Sequence, residues 1–169
     1  MSGFKEFQKN DAFWKVVGDW RRSLSDDHGQ RAELRRARSG DEVFLAPAYH
    51  RGLVARLDAA GFPLSHNEQR ALARGAGLLA HLKRDTPGEP LARRLAEAPT
   101  GSQQVRDVRF RRLLATDDPG DLYLMLLRLL RYLDGAADAR DLVAGAFYWS
   151  EITKRQWAER YFTGTKKGD

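Results

Sequence analysis

Cysteine is absent from this chain, which removes disulfides, thiolate metal sites and thiol nucleophiles together. Valine and isoleucine are few, and no run alternates with period two, so no sheet is expected. Long hydrophobic runs are missing too. The longest apolar stretch, Leu122–Leu133, is broken by Arg128 and Arg131, which excludes a membrane-spanning helix there. The opening residues Met1–Glu6 lack the apolar segment of a secretory signal. These absences describe a soluble, cytoplasmic protein without a membrane partner.

The chemistry of catalysis is equally thin. The four histidines, His28, His50, His66 and His81, lie far apart and lack paired metal-ligand spacing. No Walker loop, dinucleotide glycine motif or nucleophile elbow occurs. Asp26, Asp27 and His28 read as turn residues before a helix, and Asp117 and Asp118 read as turn and cap residues before Pro119. Gly75 and Gly77 inside a helical stretch suit close packing rather than a phosphate cradle. No catalytic residue, metal or cofactor is expected, and the chain does not read as an enzyme.

What the chain does hold is arginine in clusters. Its 169 residues include 29 Lys and Arg against 23 Asp and Glu, a net charge of +6. With 42% apolar residues it can bury a core, and its basic excess points to a polyanionic partner. Arg31, Arg35 and Arg38 fall at i, i+4 and i+7, and Arg106, Arg109 and Arg112 fall at i, i+3 and i+6. On helices these would line up on one side, and each planar guanidinium matches a phosphate. A solvated face with carboxylate partners is the plainer account. It leaves excess charge, since the first cluster has only Glu33 nearby and the second only Asp107. Arg111, Arg128 and Arg131 extend the basic set.

Helical periodicity runs almost throughout. Phe13, Val16, Val17 and Trp20 mark a first amphipathic helix, and the arginine helix follows the 26–29 turn. Asp41 is a candidate cap for a helix toward Leu57, with Pro47 a bend within it. Ser65 and Glu68 have capping-box spacing and open a helix through Leu82. Proline and glycine punctuate 85–102 around a short helix, Leu91–Ala96, and this is where a division between subdomains is expected. Four helices follow, over 103–115, 121–133, 139–149 and 151–161. The tail from Thr165 is expected to fray. Trp14, Trp20, Trp149 and Trp157 fit packing better than base stacking. The expected fold is all-α, about nine helices in two small packed helical subdomains, 1–97 and 98–169, with no sheet.

The order of these pieces resembles the CasB family, the small subunit of the type I-E CRISPR surveillance complex Cascade. The resemblance rests on an aromatic N-terminal helix, then Gln30–Ala37, then Gly77–His81 before the glycine–proline break. Val108–Leu114, Leu126–Leu130 and Trp149 with Lys154–Phe162 complete it. The connector at Gly88–Leu91 departs from the start of the short helix in many relatives. The resemblance implies a non-catalytic all-helical subunit. It would pair as a homodimer within the crRNA-guided complex, beside the CasA large subunit and the backbone subunits, and help hold the target and displaced DNA strands of the R-loop. By motif it assigns nucleic-acid contact to Arg35, Arg36, Arg109 and Arg128, with Lys154 and Arg155 behind them. Arg31, Arg106, Arg111, Arg112 and Arg131 rest on charge spacing. Two rival readings are a helix-turn-helix DNA-binding regulator and a scaffold subunit whose arginines dock partner proteins.

Overall fold

The computed structural model describes residues 3–166. Among them the packing divides into two compact units, one reaching Ala80 and the other starting at His81. The punctuated 85–102 stretch lies within the second of these units. There the C-terminal helix takes the short Leu91–Ala96 helix as a packing partner.

The first unit begins with α1 (Phe4–Phe7), α2 (Asp11–Ser23) and α3 (His28–Arg36). Asn10 caps α2, and Asp27 caps α3 by accepting from the Gln30 N–H at 3.0 Å. His28 and Gly29 are therefore helical, not turn. The buried aromatics Phe4, Phe13, Trp14 and Trp20 form its core with Leu34, Tyr49 and Leu53. Phe4 meets Phe13 edge-on at 5.8 Å, and Phe13 meets Trp14 at 5.1 Å. After α3 come α4 (Gly40–Phe44), a π-helical turn (Ala48–Val54) and α5 (Ala55–Ala59). Ser39, not Asp41, caps α4, and the regular winding breaks beside Pro47 as expected. Helix α6 (His66–His81) opens with the capping box: Glu68 N–H donates to Ser65 Oγ at 3.2 Å and Ser65 N–H to Glu68 Oε1 at 3.0 Å. Glu68 Oε2 also accepts from the Phe4 N–H at 2.7 Å, tying α1 to α6. Gly75 and Gly77 are buried in α6.

The second unit contains α7 (Leu91–Ala96), α8 (Gln103–Leu114), α9 (Pro119–Tyr132), α10 (Ala139–Phe147) and α11 (Glu151–Lys166). It also holds a small parallel pairing, so the expectation of no sheet is corrected. Strand β1 (Arg84–Asp85) runs beside β2 (Ala136–Ala137). Two-residue strands are too short to alternate and left no pattern to read. Gly135 makes the pairing possible: at φ +75° it turns the chain out of α9, and its carbonyl accepts from the Lys83 N–H at 2.8 Å. Asp85 Oδ1 then accepts from Ala139 N–H at 2.9 Å, joining the connector to the start of α10. With eleven α-helices and one π-helical turn among the described residues, the helical class holds, with more and shorter helices than the nine expected.

Helix α11 is the spine of this unit. Trp157 and Tyr161, one turn apart, are 1% and 0% exposed. Trp149 is half-buried, meets Trp157 at 5.1 Å and donates its indole N–H to Thr116 O at 2.8 Å. All four tryptophans are thus engaged in packing. Asp141, on α10, accepts from Arg160 Nη1 at 2.7 Å and from Leu91 N–H at 3.2 Å. Burial outweighs these donors and pushes its carboxyl up to about 6, so ionised Asp141 costs stability as pH rises through that value. A Cβ on Gly145 would lie 2.5 Å from Trp157 Cζ2, a rigid neighbour. Gly145→Ala is expected to destabilise the protein by about 1–3 kcal/mol, measured as a lower urea midpoint at unchanged m.

Candidate nucleic-acid interface

The arginine face of α8 is positioned by its apolar face. Ser102 caps the helix, accepting from Val105 N–H at 3.2 Å, while Phe110 and Leu113 are fully buried. Phe110 stacks on Tyr161 with centroids 4.2 Å apart and rings 13° from parallel. The Tyr161 hydroxyl donates to Asp107 Oδ1 at 2.5 Å. The one carboxylate in the second arginine cluster is therefore committed to the core side of the helix. Burial first, and that carboxylate second, push the Tyr161 phenol above its ordinary value.

After the 115–118 turn, Asp118 caps α9 by accepting from Asp121 N–H at 2.9 Å, with Pro119 in the first turn. Leu122, Leu126, Leu129, Leu130 and Leu133 turn inward, leaving Arg128 and Arg131 exposed. The result is a groove of about 490 Å³ between α8 and α9. Arg109 and Arg112 line it from α8, Arg128 and Arg131 from α9, and Met125, Leu129 and Tyr132 complete the lining. No carboxylate is among these residues. None of the four guanidiniums forms an ion pair among the described residues. The Arg109 guanidinium lies over the Tyr132 ring at 4.7 Å, and Tyr132 is fixed in turn by donating its hydroxyl to the Thr100 carbonyl. Four forks on a partly apolar floor suit a row of phosphates.

The other arginines and the lysine of the sequence reading are placed differently. Arg106 turns away from the rail: its Nη1 donates to the carbonyls of Gly101 at 2.9 Å and Thr100 at 3.3 Å, clamping the connector. Arg111 is exposed on α8 outside the groove lining, and Arg155 likewise on α11. Lys154 is only 12% exposed, paired with Asp117 and, at 3.8 Å, with Glu151. Its hydrogen bond to Asp117 raises its pKa. Arg31, Arg35 and Arg36 belong to the first unit. Arg35 Nε donates to the Ala80 carbonyl at 2.9 Å, satisfying the end of α6, and partial burial, then Arg31, lowers its pKa. Arg36 is exposed at the end of α3. Arg38 is not on that helix, because Ala37 leaves it in extended conformation. The threefold row of the first cluster is thus corrected to Arg31 and Arg35. Tyr132 and Met125 were passed over in the sequence. The available signal was their place beside arginines on the exposed side of a leucine helix.

Among the described residues no cluster of histidine, aspartate and glutamate could hold a metal, and no helix is long and apolar enough to cross a membrane. The roles divide cleanly enough to separate by stability. Arg106→Ala is expected to cost about 1–3 kcal/mol, since it strips charged donors from two carbonyls. In a chain of this size that lowers Tm by roughly 2–4 °C per kcal/mol. Arg112→Gln/Arg131→Gln, which breaks no pair, should stay within about 0.5 kcal/mol of wild type in the same calorimetric scan.

No curated protein matches the sequence. The fold is similar to that of a chain in the crystal structure of E. coli Cascade bound to a PAM-containing dsDNA target with a 32-nt spacer. The TM-score is 0.68 at 20% identity, over 91% of this chain and 96% of that one. Residues 30–162 match the family described as CRISPR-associated protein Cse2. That span takes in both arginine clusters, the groove and the spine of the second unit, and the chain belongs to the Cse2 family, the CasB small subunits of type I-E systems.

Proposed function

We propose that this chain is the non-catalytic small subunit of a type I-E Cascade complex, and that the α8–α9 groove holds a DNA strand of the R-loop by its phosphates. One observation carries the reading: Arg109, Arg112, Arg128 and Arg131 line one groove without a carboxylate. Unneutralised guanidiniums release counterions when they meet phosphates, which gives affinity without reading sequence. In a guided complex that suffices, because pairing with the crRNA supplies specificity. Family membership and a fold shared with a chain of DNA-bound Cascade support the assignment. Under it, the partners are the target and displaced strands, the CasA large subunit, the backbone subunits and a second copy of this chain.

Within this reading the predicted residues take graded parts. Arg109, Arg112, Arg128 and Arg131 carry the strand. Arg31, Arg36, Arg111 and Arg155 add long-range attraction from exposed or half-exposed positions. Arg35, Arg106 and Lys154 serve mainly to hold local structure, given their partners. A helix-turn-helix regulator would need mixed polar base readers such as Asn and Gln on its recognition helix, and the groove lining holds neither.

Fluorescence anisotropy of mixed-sequence single-stranded DNA across a salt series tests the groove. Each phosphate contact on a single strand contributes about 0.7 to the slope of log K against log salt. Arg109→Gln/Arg128→Gln is expected to flatten that slope by about 1.4 and to weaken all sequences alike. An unchanged slope in the folded double variant would remove the groove from strand binding.

A further inference from the structure

A second cavity, of about 800 Å³, opens beside the groove in the same unit. Its walls are β1, α7, the 97–100 connector and the end of α9, and Tyr132 lines both spaces. The two linings differ in kind. The only charged residues lining the groove are cationic, whereas the cavity combines Lys83, Arg84, Arg93 and Arg94 with three carboxylates. Two of those acids are occupied: Glu89 pairs with Arg94 at 3.0 Å and Asp134 with Lys83 at 3.6 Å. Arg84 and Arg93 have no ion-pair partner among the described residues, nor has Glu97. Arg94 Nε is buried and has no hydrogen-bond acceptor. The cavity thus presents spare donors for an anion beside a spare acceptor.

We propose that this cavity takes one unstacked guanine nucleotide of a strand lying in the groove. A lone phosphate would use Arg84 and Arg93 and leave Glu97 idle. A nucleotide uses both kinds of group: its phosphate meets the two guanidiniums, and the base donates to the Glu97 carboxylate. Guanine fits best, because its Watson–Crick edge carries two adjacent N–H donor groups, whereas thymine has a single ring N–H. The volume is within the about 300–1,000 Å³ typical of small-ligand sites. Tyr132 is the shared wall, so a strand following the groove can turn one nucleotide into the cavity while the neighbouring phosphates stay on the groove arginines. The proposal rests on the groove holding a strand.

Amide proton–nitrogen NMR correlation spectra of the whole chain separate the two sites. Titration with dGMP is expected to shift amides at 83–84, 93–94 and 97–100, with much smaller shifts from dTMP or inorganic phosphate at equal concentration. Oligothymidylate should move only the amides around Arg109, Arg112, Arg128 and Arg131, and the same strand with one guanine should move both sets. Arg84→Ala/Arg93→Ala should abolish the cavity shifts and keep those of the groove, with undisturbed amides elsewhere showing that it is folded. The proposal is overturned if dGMP leaves the cavity amides unmoved, if phosphate moves them as far as dGMP, or if the guanine-bearing strand fails where dGMP succeeds. In each case the groove amides report independently whether strand binding itself stands.

Discussion

The hydrogen bond from Tyr161 to Asp107 is the contact on which the groove depends. It fixes the roll of α8 against α11, together with the stacked Phe110 and Tyr161 rings. It also takes up the carboxylate that could have neutralised the neighbouring arginines. A helix surface rich in arginine ordinarily recruits acidic residues at i+3 or i+4. Here the single candidate is turned inward, and the guanidiniums on the other side keep their charge unneutralised. Packing and electrostatics are thereby set by the same residue.

Arginine has two uses in this protein, and local acceptors tell them apart. Arg35 and Arg106 end on backbone carbonyls, at the end of α6 and in the 98–102 connector. Arg109, Arg112, Arg128 and Arg131 end in a groove with none. The first kind stabilises the fold, and the second raises the local positive potential. Lys154 belongs with the first, held by Asp117 and Glu151.

Much of this was legible in the chain. The capping box at Ser65 and Glu68, the leucine face of α9 and the helical class all follow from short-range spacing, which local physics enforces. Spacing along one helix could not show that Arg128 and Arg131 face Arg109 and Arg112, because that requires the turn at 115–118 and the burial of Phe110. Nor could it show that Arg106 abandons its row for the connector, since the acceptors are backbone carbonyls with no sequence signature. Arg38 failed for a local reason: Ser39 starts a new helix, so Ala37 ends the old one. The β1–β2 pairing depends on Gly135 reaching back to Lys83, a long-range bond between segments that alternate too briefly to be seen.

The most direct measurement is R-loop retention by reconstituted Cascade carrying Arg109→Glu/Arg128→Glu in this subunit. Stoichiometric assembly with at least tenfold faster loss of bound target DNA would establish the groove as a strand holder. Failed assembly would instead assign these arginines to docking against neighbouring subunits, and normal retention by the assembled complex would make them a solvated helix face with no part in holding the strand.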